Sequence, residues 1–119
     1  MQAVHVKILK RQLRVATYYF RKYARCKRRK VRCEVLHLPE EYGLDQAMEW
    51  CERHTNRYWK RYLYFVKRLE KLYTDEPAKS YLNQMRERIE ADLMSLKDEL
   101  EQWEKDIREQ APHVEDAQA

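Results

Sequence analysis

The chain has 119 residues, enough for one domain that buries roughly 65% of the surface its unfolded form exposes. With a single Gly and three Pro it lacks the punctuation of a hairpin-rich β fold, and 12% aromatic residues are too many for a disordered chain, although 38% of its residues are charged and the net charge is +5. No apolar run approaches the roughly eighteen residues of a membrane span, and three cysteines without a Cys-x-x-Cys pair make no disulfide framework.

Leu, Arg, Lys, Glu, Gln and Met abound, and these are good helix formers, so the composition predicts an all-α fold. Free thiols and the absence of a secretory signal pattern point to an intracellular, reducing compartment, cytoplasmic or, as an alternative, on the mitochondrial matrix side. Charge is distributed unevenly: residues 1–33 carry twelve basic and no acidic groups, 34–77 seven and nine, and 78–119 six and eleven. A basic, acid-free start signals a polyanion partner, unless the acidic third segment neutralises it within the bundle or across a dimer.

In the first segment Val6, Leu9, Leu13, Ala16, Phe20 and Tyr23 recur at spacings of three and four and form one stripe of a helix over about 4–33. Lys7, Arg11, Arg14, Tyr18, Arg21, Arg25, Arg28 and Arg32 form the opposite stripe, facing outward. After Ala24 the apolar stripe fails, because Lys27 and Lys30 fall where it would continue. Residues 25–32 therefore read as a knob that is basic on nearly every side. Alternation at Val4, Val6 and Ile8, and again at Val31, Cys33 and Val35, leaves two short strands as an alternative for those stretches.

Pro39 and Gly43 mark the first break. A second helix over about 45–73 follows, with Asp45 as its expected cap. Its centre, Tyr58, Trp59, Tyr62, Leu63, Tyr64, Phe65 and Val66, is apolar or aromatic on most of its circumference, which predicts the middle position in a bundle. Thr74–Ala78 forms the second break, where Asp75 can cap and Pro77 can occupy the first turn of a helix over about 77–109. That helix has the cleanest repeat, Leu82, Met85, Ile89, Leu93, Leu96, Leu100, Trp103 and Ile107, a coiled-coil-like seam. The expected architecture is an antiparallel three-helix bundle of helices about 45 Å long, a single domain over 1–110 with a flexible acidic tail at 111–119. Tyr58, Tyr62, Phe65, Leu69, Ile89, Leu93, Leu96, Leu100 and Trp103 are its expected core or interface residues.

Three local patterns resemble known motifs. The eight residues Cys26-Lys-Arg-Arg-Lys-Val-Arg-Cys33 resemble the centre of the fungal binuclear zinc-cluster motif, which implies zinc-bound thiolates. That motif needs six cysteines, and Tyr23 stands where the first should be. A mononuclear zinc site would have to draw Cys26, Cys33, His37 and Cys51 from two helices, so free thiols and no metal or cofactor are the expectation. Arg32 and His37 match the loose Arg-x4-6-His spacing of the helical HEPN ribonucleases, in two residues only. Ile8-Leu9-Lys10-Arg11-Gln12-Leu13-Arg14 resembles the start of the mitochondrial LYR-motif proteins, with Lys10 in place of the signature Tyr, and implies a respiratory-complex subunit or assembly factor.

His5, His54 and His113 have no Ser, Cys or carboxylate at a suggestive spacing, so no catalytic residue is assigned and a non-enzymatic protein is expected. Cations about 5 to 6 Å apart along a helix face can each meet a phosphate, and Tyr18 among them could stack on an unpaired base. The expected contacts to nucleic acid or another polyanion are Lys7, Arg11, Arg14, Tyr18, Arg21, Arg25, Lys27, Arg28, Arg29 and Arg32, the knob foremost. The alternative is a structural subunit or assembly factor of a multiprotein complex, mitochondrial or viral, whose basic face docks on an acidic protein or lipid headgroups. Either reading makes the chain an oligomer or complex subunit.

Overall fold

A computed structural model describes residues 3–110; the tail expected at 111–119 lies outside the described residues. Helices α1 (Ala3–Val35), α2 (Leu44–Leu72) and α3 (Glu76–Gln110) account for nearly all of them, and the described residues contain no strand. The short strands considered for Val4–Ile8 and Val31–Val35 are helical instead: their apolar residues belong to the 3.6-residue stripe of α1. The helices form an all-α three-helix bundle, a rod of 66 × 26 × 17 Å. Side-chain pairs Lys27–Glu104 and Glu34–Arg108 join the C-terminal ends of α1 and α3, so these two run parallel and α2 antiparallel to both.

The core follows the 3.6-residue periodicity. Leu9, Leu13, Ala16 and Phe20 of α1 are buried with Tyr62, Val66 and Leu69 of α2 and Leu82, Leu93 and Leu100 of α3. Tyr58, Phe65, Ile89, Leu96 and Trp103 pack against this cluster half-buried. The middle helix is α1, which packs on both others, and not α2 as its aromatic circumference suggests. Small Ala16, Thr17 and Ala24 let neighbours approach α1, whereas several large side chains of α2 end at the surface, Trp50 and Tyr64 among them.

Tyr62 is fully buried, and its hydroxyl donates to Glu90 Oε2 at 2.9 Å while Arg86 Nε donates to the same oxygen at 3.1 Å. A buried hydroxyl costs free energy unless it is bonded, and here α3 supplies the acceptor. Burial, reinforced by the bond to Glu90, pushes the phenol well above its ordinary value.

The helix ends have specific causes. At the end of α1 the Leu38 N–H donates to the Cys33 carbonyl (2.9 Å) and the His37 N–H to the Glu34 carbonyl (3.3 Å), a Schellman turn with His37 in the left-handed region at φ 54°. Gly43, at φ 82°, caps α2 in place of the expected Asp45. Asp45 falls in the first turn, where a carboxylate complements the helix dipole, and accepts from Lys30 Nζ at 2.6 Å. At the start of α3 the Asp75 carbonyl accepts from the Lys79 N–H at 3.0 Å. The two ends of the α1–α2 pair are also tied together: His5 Nδ1 and the Tyr73 hydroxyl lie 2.6 Å apart.

Candidate functional site

The outward stripe of α1 divides into two parts. Over its first six turns Lys7, Arg11, Arg14, Tyr18, Arg21 and Arg25 are exposed, and among the described residues none of these cations forms an ion pair. Their positions follow directly from the buried stripe opposite, since Leu9, Leu13, Ala16 and Phe20 turn them to solvent.

Residues 25–32 behave differently from the expected bare knob. Val31 and Cys33 are buried, so the helix does carry apolar contacts here, Val31 in line with Leu13 five turns earlier and Cys33 beside the α1–α2 connection. Lys27 Nζ lies 3.4 Å from Glu104, Arg29 2.8 Å from Glu41, and Lys30 2.6 Å from Asp45. Arg108 bridges Glu34 and Glu104 at 2.9 Å each. Partial burial pushes the Glu104 carboxyl up, but the hydrogen bond from Arg108 and the nearby Lys27 outweigh it and hold the group below its usual range. The guanidiniums of Arg28 and Arg32 lie 5.7 and 5.5 Å from the centre of the Trp103 ring, within cation–π range. Charge reversal at Arg28, Arg29 and Arg32 would therefore disturb internal contacts.

Between α1 and α3 these residues line an open groove. Arg21, Arg25, Arg28, Arg29 and Arg32 form its wall, with Phe20, Ala24 and Leu96 completing the lining. No carboxylate lines it, although Arg29 reaches Glu41. Arg28 Nε is buried and has no hydrogen-bond partner. Five cations sharing one concavity raise the local potential for an anion, and a low-dielectric floor strengthens it.

A second basic stretch escapes the regional charge counts. From Arg53 to Leu69 there is no acidic residue, while Arg53, Arg57, Lys60, Arg61, Lys67 and Arg68 are interleaved with Tyr58, Trp59, Tyr62, Tyr64 and Phe65. The acids of residues 34–52 mask it when charge is summed over the second segment. The Arg61 guanidinium lies 4.9 Å from the Tyr58 ring centre and that of Arg68 5.7 Å from Tyr64, so rings and cations alternate on the surface of α2. Where α2 meets α1, Tyr19 contacts the rings of Tyr18, Trp50, His54 and Tyr58 at 4.8 to 6.0 Å between centres.

Cys26, Cys33 and Cys51 are free thiols, the last two buried. Burial, with Cys26 nearby, pushes the Cys51 thiol up, away from the thiolate form that metals and electrophiles require. No group of three or more His, Cys, Asp or Glu side chains is gathered in metal-binding geometry among the described residues. His37 occupies the turn after α1 while Arg32 lies over Trp103, so each has its own structural setting. No described helix is long and apolar enough to cross a membrane. No family model matches the chain, and no curated protein or solved structure shows significant similarity to it.

Proposed function

We propose that this chain is a non-catalytic nucleic-acid-binding protein that lies along a sugar–phosphate backbone, RNA or DNA, with the outer face of α1, as one component of a larger assembly. The observation that supports it most is the groove: five arginines on one wall, no lining carboxylate, and a buried Arg28 Nε without a partner. Phosphate oxygens match that donor set, because guanidiniums can meet them with paired N–H bonds. Lys7, Arg11 and Arg14 extend the track toward the N-terminus of α1. Such contacts hold any sequence, so specificity from this face is low.

The test is a salt titration of binding to a labelled oligonucleotide. With about six phosphates engaged, log affinity falls with log salt at a slope of roughly −5. Affinity unchanged between about 50 and 200 mM salt would overturn the reading. A second reading, docking on an acidic protein partner, is favoured by Leu36, Leu38 and Tyr42, which stand exposed in the α1–α2 connection. Nucleic acid that fails to compete with such a partner for the protein would favour it.

A further inference from the structure

Tyr18 is 52% exposed and Trp50 43% exposed, yet both are held in place by neighbours. Tyr19 packs edge-on to each, at 5.3 and 5.5 Å between ring centres, and lies nearly parallel to Tyr58 at 6.0 Å. His54 braces Trp50 at 4.1 Å. The result is a ledge of rings across the α1–α2 seam whose outer members, Tyr18 and Trp50, stay about half exposed without the entropy cost of loose side chains. Its cations are Lys22, with Nζ 4.6 Å from the Tyr18 ring centre, and Arg61 against Tyr58. Arg14, Arg21 and Arg25 lie within two turns of Tyr18 on the outer stripe of α1.

We infer that the ledge formed by Tyr18, Tyr19, Trp50 and Tyr58 stacks unpaired bases, so that the ligand is a single-stranded nucleic acid whose backbone runs along the arginines of α1. This rests on the backbone reading above and narrows it. The cations held against Tyr18 and Tyr58 select the occupant at that end of the ledge, while Glu49 and Glu52 flank Trp50 at the other. An aromatic cage for a cationic ligand needs a neutral or acidic rim, whereas Lys22 and Arg61 already fill cation–π positions here. A negatively charged polymer bearing flat π-faces is complementary to both parts of this surface, and a duplex, with its bases stacked inside, can use only one of them.

The experiment measures affinity for a labelled mixed-sequence RNA of about twenty nucleotides, alone and annealed to its complement, using the full chain at low salt. The wild type should prefer the single strand by at least about 10-fold, and Tyr18→Ala with Trp50→Ala should weaken single-strand binding by roughly 10- to 100-fold while duplex binding holds. Trp50→Phe, which keeps a π-face, should recover most of the loss, and helical circular dichroism should be unchanged. Equal affinity for both forms, or single-strand binding untouched by the double substitution, overturns the inference and leaves the backbone reading standing. Failure to bind either form removes both. A concentration-dependent dimer that the double substitution abolishes also overturns it, since the ledge is then a contact between copies of the chain.

Discussion

The two halves of α1 carry similar cations and meet different fates. From Ala3 to Ala24 the helix faces its partners with one apolar stripe, and its opposite side is left to water. From Arg25 to Val35 the acidic end of α3 and the acidic connection to α2 close around the helix, so Lys27, Arg29 and Lys30 find carboxylates. Cation–aromatic and ionic contacts are cheap to make where acids and rings already stand opposite, so availability is decided by what the fold brings across, not by the density of charge in the chain.

The sharpest way to break the contrast is Trp103→Ala, which removes the half-buried ring under Arg28 and Arg32. A loss of about 3 kcal/mol is expected, read as a lower urea midpoint at unchanged slope, together with weaker oligonucleotide binding as the groove loses order. Arg14→Glu with Arg21→Glu tests the free half. Binding should weaken by roughly 100-fold, about 2.7 kcal/mol, and the salt slope should shrink by about 2, while stability changes by less than about 0.5 kcal/mol. In Lys27→Glu the order reverses: a like charge beside Glu104 costs about 1 kcal/mol of stability and alters binding less. His37→Gly relieves a left-handed residue and should stabilise the fold by up to about 1 kcal/mol, with a higher urea midpoint and unchanged binding.

The smallest effect lies in the acid limb. A carboxyl held below its ordinary value contributes stability that is fully present above the unfolded value and is lost as pH falls through the folded one. Glu104→Gln should therefore flatten the stability curve below about pH 4 by less than about 1 kcal/mol, seen as a smaller midpoint shift between neutral and acid urea melts.

The three helices and their breaks were legible because each rests on local physics: spacing of three and four for the stripes, Pro39 and Gly43 for the first turn, Asp75 and Pro77 for the second. Which helix lies in the middle was not, because the apolar circumference of α2 does not say how many of its rings will stack with one another at the surface, as Trp50 and His54 do. The candidate interface was legible as a stripe of residue types but not as a set of free donors. The carboxylate that meets Lys27 comes from the far end of the chain, and no local pattern announces it. The basic–aromatic run of α2 was hidden for the opposite reason, diluted by acids that the fold sends elsewhere, Glu41 to Arg29 and Asp45 to Lys30.

The Schellman turn at His37 has a consequence for length. It reverses the chain where Glu34, Glu40, Glu41 and Asp45 gather, so the positive track of α1 ends at Arg32 against an acidic stop. From Lys7 to Arg32 the helix rises about 38 Å. A strand stacked at about 3.4 Å per nucleotide would cover it with about eleven nucleotides. On the proposed backbone reading this length is a prediction: oligonucleotides shorter than that should lose affinity with each residue removed, and longer ones should gain nothing until a second copy of the protein can bind beside the first.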